Sequence, residues 1–220
     1  MKKILITGGS SGLGLELAKV YGKNGYQIIL VGRSTDKLEQ AVNILNLLEV
    51  SAVRVYKCDI SDPQAVKTLQ EQVKKDHGQI DRLINCAGVG HFGRLEHLDY
   101  ESIQVMTKVN FLGTVYMVQA FKALIRERVI NIISTAGLRG KNEESVYCAT
   151  KFAVRGFTES LQVEWENEEI DITAVYMGGM DTPFWNNSNH ITDKSRLRSP
   201  EKVARTIYEN EDGRSSIIID

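Results

Sequence analysis

The chain has 220 residues, of which 42% are hydrophobic and 25% charged, and its formal net charge is -1. This composition is typical of a globular protein with one sizeable core, and it excludes extensive disorder. Basic and acidic residues are mixed along the sequence, which gives no electrostatic reason to expect nucleic acid as a partner. No apolar run is long enough to span a membrane or to act as a signal peptide, so we expect a cytoplasmic protein that does not bind membranes.

Short runs of apolar and β-branched residues alternate with segments of helical period along the whole chain. Such near-continuous hydrophobicity is typical of strands that are covered on both faces, as in a parallel sheet. Two helices are marked by a capping residue followed by proline, at Asp62-Pro63 and at Ser199-Pro200. The seven predicted strands are Ile4–Thr7, Gln27–Val31, Val53–Tyr56, Leu83–Asn85, Val129–Ile133, Ile172–Tyr176 and Ser216–Ile219.

This alternation predicts an α/β fold: a doubly wound parallel sheet of about seven strands with helices on both faces, or Rossmann fold. No linker or low-complexity stretch divides the chain, so residues 1–220 are expected to form a single domain.

The first predicted strand leads directly into a glycine-rich turn, TGGSSGLG at residues 7–14, and then into an amphipathic helix. In a doubly wound fold, this is the position that holds the diphosphate of a dinucleotide. Gly8 permits the tight turn, Gly12 lets the backbone approach the ligand, and Gly14 allows the helix to pack closely on the sheet. The helix N-terminus adds unpaired N–H groups and the positive end of the helix dipole. We predict a cofactor-binding turn; the alternative is a turn with a structural role alone.

The residues after the second predicted strand indicate which dinucleotide is bound. A carboxylate at this place accepts hydrogen bonds from the adenosine ribose, whereas a cation favours the extra phosphate of NADP. Here Gly32 is followed by Arg33 and Ser34, and the next carboxylate is Asp36. An arginine fork pairs well with phosphate, and a serine hydroxyl can donate a further hydrogen bond. NADP(H) is therefore the preferred cofactor and NAD(H) a possible one, while the alternative for Arg33 is a solvated surface side chain.

Cysteine and histidine give no indication of a metal. Cys58, Cys86 and Cys148 are widely spaced, so neither a disulfide framework nor a zinc site is predicted. His91 and His97 flank Glu96, but a metal site needs three converging ligands and the spacing supplies no clear third. We expect no metal.

Tyr147 and Lys151 are four residues apart in a segment of helical pattern, which places both side chains on one helix face. The pKa of a free tyrosine is near 10, and a nearby ammonium lowers it by stabilising the phenolate. Such a pair can serve as a general acid/base. The alternative is a packed tyrosine beside a lysine whose stem covers apolar surface.

Two further polar residues favour the catalytic interpretation. Ser134 follows the fifth predicted strand at the carboxyl edge of the sheet, where its hydroxyl could donate to a substrate carbonyl. Asn110 lies within a helical pattern, an unusual place for a short amide that makes no specific hydrogen bond.

Together these motifs resemble those of the short-chain dehydrogenase/reductase family in its compact form, in order and spacing, over nearly the whole chain. The turn at residues 7–14 is similar to the family's TGxxxGxG. Cys58-Asp59 matches the position of the acidic residue that meets the adenine, and residues 85–88, NCAG, are similar to NNAG. The catalytic tetrad of the family falls on Asn110, Ser134, Tyr147 and Lys151.

The resemblance implies a role for each member of the tetrad. Tyr147 protonates the carbonyl oxygen during reduction, and Ser134 orients and polarises that carbonyl. Lys151 binds the nicotinamide ribose and lowers the pKa of the tyrosine. Asn110 holds a water molecule that links the lysine to a proton relay.

The family's PG-x-x-x-T segment corresponds to residues 177–182, in which Met177 replaces the proline and Thr182 is expected to contact the nicotinamide carboxamide. The second asparagine of NNAG is replaced by Cys86. The predicted cofactor contacts are Thr7, Gly8, Ser10, Ser11, Gly12, Leu13, Gly14, Arg33, Ser34, Asp59, Ile60, Asn85, Ala87, Gly88, Tyr147, Lys151, Gly178, Met180 and Thr182.

The one long irregular span, residues 178–198, is predicted to be a substrate-binding loop, with a surface loop of no function as the alternative. Phe184 and Trp185 either wall an apolar substrate or anchor this loop on the core.

The sequence thus predicts an NADP(H)-dependent oxidoreductase that acts on a small-molecule carbonyl or alcohol. One alternative is a catalytically silent dinucleotide-binding regulatory or scaffold protein, since fold alone does not establish activity. Another is a related reaction such as sugar epimerisation, which the absence of a second substrate domain disfavours. The resemblance further implies a homodimer or homotetramer assembled through the helices that carry Asn110 and Tyr147.

Overall fold

The computed structural model describes residues 1–50, 52–186, 188 and 190–219. Its strands are β1 (Lys3–Thr7), β2 (Gln27–Gly32), β3 (Val53–Lys57), β4 (Ile80–Asn85), β5 (Ile125–Ile132), β6 (Asp171–Met177) and β7 (Ser216–Ile219). They form one sheet in the order β3-β2-β1-β4-β5-β6-β7, and every neighbouring pair is parallel. The predicted doubly wound parallel sheet is confirmed.

The α-helices of the described residues are α1 (Gly12–Lys23), α2 (Thr35–Leu47), α3 (Pro63–His77), α4 (Tyr100–Met106), α5 (Gly113–Phe121), α6 (Ser145–Glu164) and α7 (Pro200–Glu209). A π-helical segment, Thr107–Leu112, joins α4 to α5 without a break. Both caps predicted from the sequence are confirmed. The Asp62 side chain accepts a hydrogen bond from the backbone N–H of Gln64, and Ser199 accepts one from Lys202.

Two apolar layers cover the sheet, and the side chains of β1 show how. Ile4 and Ile6 belong to the layer that packs under α1, α2 and α7, whereas Leu5 belongs to the layer with α3, α5 and α6. All three side chains are fully buried. Burial of a side chain of this size contributes about 1.5–3 kcal/mol. The two layers explain why the strands are apolar at consecutive positions.

Two strands begin several residues earlier than the sequence predicts. β4 starts at Ile80 rather than Leu83, and β5 at Ile125 rather than Val129. Each added segment begins with a buried isoleucine and continues with charged residues towards the amino edge of the sheet, where Arg82 pairs with Glu211 at 3.1 Å and Arg128 with Asp171 at 2.5 Å. These charged residues interrupt the apolar pattern, so periodicity does not extend the strands back to Ile80 and Ile125.

A buried chain of polar side chains connects the centre of the sheet to α6. The amide nitrogen of Asn85 donates to Oδ1 of Asn131 at 2.9 Å, and the amide nitrogen of Asn131 donates to Oγ1 of Thr158, also at 2.9 Å. Thr158 then donates to the carbonyl oxygen of Val154. Thr158 fixes the orientation of both amides, because its hydroxyl proton is committed to α6.

We expect Thr158→Val to lower the free energy of unfolding by about 1–3 kcal/mol, since it leaves the buried amide of Asn131 without an acceptor. Thr68→Val is the matched control. Thr68 lies on α3, is exposed, and makes the same backbone hydrogen bond, to the carbonyl oxygen of Gln64. Denaturant unfolding of both variants tests this, and equal losses would show that the buried chain adds nothing.

Candidate active site

The ends of β1 and β4 are joined by a buried hydroxyl. Oγ1 of Thr7, which is fully buried, accepts hydrogen bonds from the backbone N–H groups of Cys86 and Ala87, both at 3.1 Å. Gly8 follows with φ of 68°, and a Cβ there would lie 2.9 Å from the Cα of Ala87. This close approach of two backbones requires glycine at residue 8. It forms one wall of the crevice at the point where the strand order reverses.

The glycine-rich turn forms the other wall. Gly12 has φ of 51°, and a Cβ there would lie 3.2 Å from the Cβ of Thr182, so the chain after β6 lies against the turn. A Cβ at Gly14 would overlap the carbonyl oxygen of Gly8, so the start of α1 lies close against the turn at this residue. Ser11 precedes α1, and within the described part of the chain its hydroxyl does not cap the helix. The first N–H groups of α1 therefore remain available to an anion.

The predicted phosphate and ribose residues lie at the ends of the next two strands. Arg33 is exposed, directly after β2. Ser10 lies nearby, since its Oγ is 3.5 Å from the Cβ position of Gly32. The Oγ of Ser34 accepts a hydrogen bond from the N–H of Lys37 at 3.3 Å, so this hydroxyl caps α2 and keeps its proton for another acceptor.

Asp59 and Ile60, after β3, differ in their surroundings. Asp59 is exposed, and one of its carboxylate oxygens accepts from the N–H and hydroxyl of Ser61. Ile60 is buried and packs against the Cα of Gly113. A cofactor contact by Ile60 must therefore use its backbone.

Asn110 lies in the π-helical segment, which explains its place within a helical pattern. Its Oδ1 accepts from the N–H of Val89 at 2.8 Å, and its Nδ2 donates to the carbonyl of Val89 and to Oγ1 of Thr150. π-Helical turns often occur at functional sites. Here the turn aims a buried amide at the segment after β4 and at α6. A Cβ added to Gly88 would lie 3.4 Å from Oδ1 of Asn110 and 3.8 Å from Nζ of Lys151. These three residues therefore converge.

Lys151 is buried on α6, with 5% of its surface exposed, and its Nζ donates to the carbonyl oxygen of Ile132 at the end of β5. Burial lowers the pKa of Lys151 to about 8, because an ammonium loses hydration there, while Cys86 acts weakly in the opposite direction. This lysine is therefore held close to the limit at which it loses its charge.

Ser134 and Tyr147 face each other at the carboxyl edge of β5. Ser134 adopts φ of 126°, which is rare for a residue with a side chain, and its Oγ accepts from the N–H of Ala136. Tyr147 is half-buried, and Nζ of Lys151 lies 5.8 Å from its ring centre. Strained backbone of this kind is often retained at functional sites.

The pKa of Tyr147 departs from the expectation that Lys151 lowers it. Burial raises the pKa of Tyr147 above its ordinary value, and Glu144 and Cys148 raise it further, while a hydrogen bond with Ser134 acts in the opposite direction. The cost of removing a phenolate from water outweighs the favourable interaction. The phenol is thus protonated at neutral pH.

Aromatic side chains from the long loop and from the segment after β4 lie beside Tyr147. Phe92 and Phe184 lie 5.4 and 6.0 Å from the Tyr147 ring, measured between ring centres. Phe92 also stacks on Trp185 at 5.1 Å and on His190 at 4.8 Å. We call Phe92, Phe184, Trp185 and His190 the aromatic cap.

The loop is anchored as well as packed. Trp185 donates its indole N–H to the carbonyl oxygen of Met180 at 2.9 Å. Met180 pairs with Arg198 in an isolated parallel bridge, which brings the two ends of residues 178–198 together. Trp185 therefore both anchors the loop and contributes to the wall beside Tyr147. Of the predicted cofactor contacts, Gly178 packs against the guanidinium of Arg198.

Two members of this region are not predicted from the sequence. Nε2 of His190 donates to Oε1 of Glu144 at 3.1 Å, and both side chains are largely buried. Glu144 directly precedes α6. It is the second of two neighbouring glutamates, and such a pair follows no apolar period that would distinguish it from other surface residues. His190 lies 43 residues beyond Tyr147 in the sequence, so a stacked contact with Phe92 had no local pattern.

The crevice fits the predicted dinucleotide. It offers glycine backbone at Gly8 and Gly12, the open N-terminus of α1 and, at the end of β4, a buried Oδ1 of Asn85 that has no hydrogen-bond partner among the described residues. Within the described ranges, no group of three or more metal-ligating side chains comes together, and no helix is long and apolar enough to cross a membrane.

Comparisons with known proteins agree with this arrangement. A family model described as short chain dehydrogenase matches residues 2–193. The 3-ketodihydrosphingosine reductase of Bos taurus is 32% identical over 223 aligned positions, which cover 94% of this chain and 67% of that protein.

Two solved structures are similar over nearly the whole fold. The alcohol dehydrogenase of the archaeon Thermococcus sibiricus, complexed with 5-hydroxy-NADP, has a TM-score of 0.91 and 26% identity, and the match covers 100% of this chain and 96% of that one. A short-chain dehydrogenase/reductase from Vibrio parahaemolyticus has a TM-score of 0.85 and 35% identity, with coverage of 98% and 95%.

We expect Lys151→Met to stabilise the cofactor-free protein. Because burial lowers the pKa of Lys151 from 10.5 to about 8, keeping the ammonium charged costs free energy below pH 8, and this cost vanishes above the unfolded pKa. The variant should gain about 3 kcal/mol in unfolding free energy at about pH 7 and about 1 kcal/mol at about pH 9.5. Lys74→Met, at an exposed position on α3, is the control. A gain that does not change with pH would contradict the buried charge.

Proposed function

The chain belongs to the short-chain dehydrogenase/reductase family, and from that premise we propose that it transfers hydride between NADP(H) and a carbonyl or alcohol substrate. The observation that carries the proposal is the convergence of Ser134, Tyr147 and Lys151 at the carboxyl edge of β5, with Asn110 hydrogen-bonded behind them. A binding protein has no physical need for a strained serine beside a half-buried tyrosine. The chain is an oxidoreductase by family.

The nicotinamide, when bound, supplies or accepts the hydride. The side chains handle the proton and the carbonyl oxygen. Tyr147 is protonated in the free protein, since burial raises its pKa, and it therefore suits the donation of a proton to the carbonyl oxygen during reduction. The Ser134 hydroxyl donates to the same oxygen and polarises the carbonyl. In oxidation, Tyr147 must first lose its proton, and Lys151 supplies the positive charge that favours the phenolate.

Lys151 and Asn110 position the other partners. The Lys151 ammonium has three protons, and the bond to the carbonyl of Ile132 uses one of them, so others are free for ribose hydroxyls. The Asn110 side chain is fully engaged with Val89 and Thr150. We therefore propose that Asn110 acts by holding the backbone near Lys151 in place. The proposed water relay would start at this lysine.

NADP(H) is the proposed cofactor. Arg33 is exposed at the end of β2, beside Ser10 and Ser34, and no carboxylate occupies residues 32–34. A guanidinium at this place pairs with a phosphate on the adenosine ribose. The archaeal alcohol dehydrogenase with 26% identity was solved with an NADP derivative, which is consistent with this assignment.

The proposed substrate region is the loop at residues 178–198 together with the aromatic cap. Phe92 and Phe184 lie beside Tyr147, and Trp185 and His190 stack on Phe92, which together favour an apolar substituent next to the reacting carbonyl. The relative named for 3-ketodihydrosphingosine makes long-chain ketones a sensible class for a first screen. We propose residues 1–220 as a single domain that acts in the cytoplasm as a homodimer or homotetramer.

The test is reduction of a ketone panel, from small cyclic to long-chain 3-ketones, with NADPH as reductant. Tyr147→Phe removes the proton donor and should lower kcat/KM by about 10³-fold, within the range of general acid catalysis, while NADPH still binds. Tyr100→Phe is the control, since Tyr100 is 86% exposed. Unchanged turnover in Tyr147→Phe would refute the proposed mechanism. Tight cofactor binding without turnover of any ketone or alcohol would support the catalytically silent alternative.

The cofactor assignment has its own test, titration of NADPH and NADH by cofactor fluorescence. Arg33→Ala should weaken NADPH binding about 10–100-fold, the value of a hydrogen bond to a charged group, and leave NADH binding unchanged. Arg126→Ala, an exposed arginine at the opposite edge of the sheet, is the matched control. Equal affinities of the wild type for NADPH and NADH would show that Arg33 points into solvent.

A further inference from the structure

An acid–histidine pair lies beside Tyr147 and takes no part in the proton transfer proposed above. Glu144 occupies the position directly before α6, with 10% of its side chain exposed. His190 belongs to the long loop, with 15% of its side chain exposed. Their side chains meet at 3.1 Å between Nε2 of His190 and Oε1 of Glu144. Two segments that are distant in the sequence are thus joined next to the catalytic tyrosine.

The ring of His190 is fixed on three sides. Its face stacks on Phe92, with 4.8 Å between ring centres and 17° between ring planes. Its Nε2 meets Glu144, and its Nδ1 lies 3.9 Å from an oxygen of Glu143. Phe92 in turn contacts the Tyr147 ring. His190 therefore packs against the ring that contacts Tyr147.

The largely buried carboxylate of Glu144 is stabilised by a hydrogen-bond donor such as His190. A buried charge without a hydrogen bond is costly, and the cost falls when a donor from another segment is brought to it. The same carboxylate opposes formation of the phenolate, since Glu144 raises the pKa of Tyr147. A donor on Glu144 reduces this opposition.

Other polar and titratable groups also lie near Glu144, His190 and Tyr147, and a measurement must separate their effects from that of the pair. Tyr147 is faced by Ser134, Cys148 and Lys151. A cleft of about 450 Å³ beside His190 is also lined by His91, His97, Asp99 and Glu143.

We propose that Glu144 and His190 form a latch that holds the aromatic cap over Tyr147 and that brings a hydrogen-bond donor to the carboxylate beside the reacting phenol. Both are positioning residues, because they act through Phe92 and Tyr147. The benefit to catalysis rests on the proposed function, whereas the latch itself does not. Closing the loop then has two effects at once: the aromatic wall is completed, and the proton of Tyr147 becomes easier to remove.

The position of the loop can be followed without any substrate. The chain has two tryptophans, so Trp165→Phe leaves Trp185 of the aromatic cap as the one fluorophore of this kind. In that background, Glu144→Leu removes the acceptor and leaves the His190 ring intact. We expect a red shift of Trp185 emission and increased quenching by acrylamide. His190→Ala should give the same result, and Glu143→Gln, at the exposed neighbouring carboxylate, should not.

The charge effect is read from the titration of Tyr147. Tyrosinate absorbance of each protein in complex with NADP⁺ is measured against pH, and the same curve for its Tyr147→Phe version is subtracted. Glu144→Gln should move the titration to lower pH, and His190→Phe, which keeps an aromatic ring on Phe92, should move it to higher pH. Each shift is expected to be on the order of one pH unit. In the double variant, His190→Phe should add nothing to Glu144→Gln.

These measurements separate the latch from the proposed function. Unchanged Trp185 emission in both Glu144→Leu and His190→Ala, with folding verified by circular dichroism, would overturn the latch. If the Tyr147 titration of both Glu144→Gln and His190→Phe were unchanged from that of the wild type, the proposed charge effect would be overturned. The contact between Glu144 and His190 would then be structural alone. Loop opening in a protein that reduces no ketone would sustain the latch and refute the proposed function.

Discussion

The parallel sheet is covered by helices on both faces, and this constraint decides where chemistry can occur. Every strand pairs in parallel, so the inner strands are largely apolar on both sides. Most polar side chains of these strands lie towards the strand ends. At the amino edge these are long charged residues such as Arg82 and Arg128, which pair with acids across the sheet. At the carboxyl edge they are short and uncharged, as at Thr7 and Asn85, and they leave room for a ligand.

The carboxyl edge is held in shape by hydrogen bonds that the apolar core cannot supply. Thr7 ties β1 to the segment after β4, and Asn131 ties the sheet to α6 through Thr158. Because α6 also carries Tyr147 and Lys151, the same polar chain that orients the central strands helps to fix the position of this pair above them. Polar networks of this kind are favourable only when every member is satisfied. The exception is Oδ1 of Asn85, which has no hydrogen-bond partner among the residues that the structure describes and lies at the end of β4, beside the crevice.

Much of this could be predicted from sequence because the signals are local. The glycine-rich turn, the caps at Asp62 and Ser199, and the spacing of Tyr147 and Lys151 each depend on residues within one element or its junction, and the fold and the family they indicated are confirmed. The sign of the net pKa shift of Tyr147 could not be predicted, because desolvation depends on all the atoms that surround the phenol. The same holds for the π-helical turn at Asn110, since hydrophobic period does not distinguish it from an α-helix. The cofactor and substrate residues stay predictions.

Burial shifts the pKa values of Tyr147 and Lys151 in opposite directions, raising the first and lowering the second. Burial disfavours the charged form of each, so the free protein holds a protonated phenol and an ammonium that is close to losing its proton. In the proposed function, ribose hydroxyls of the cofactor would replace part of the water that Lys151 loses on burial, which would lower the cost of its charge. By excluding solvent, the aromatic cap would strengthen these interactions. The proposed latch between His190 and Glu144 would therefore contribute to the electrostatics of the site as well as to its shape.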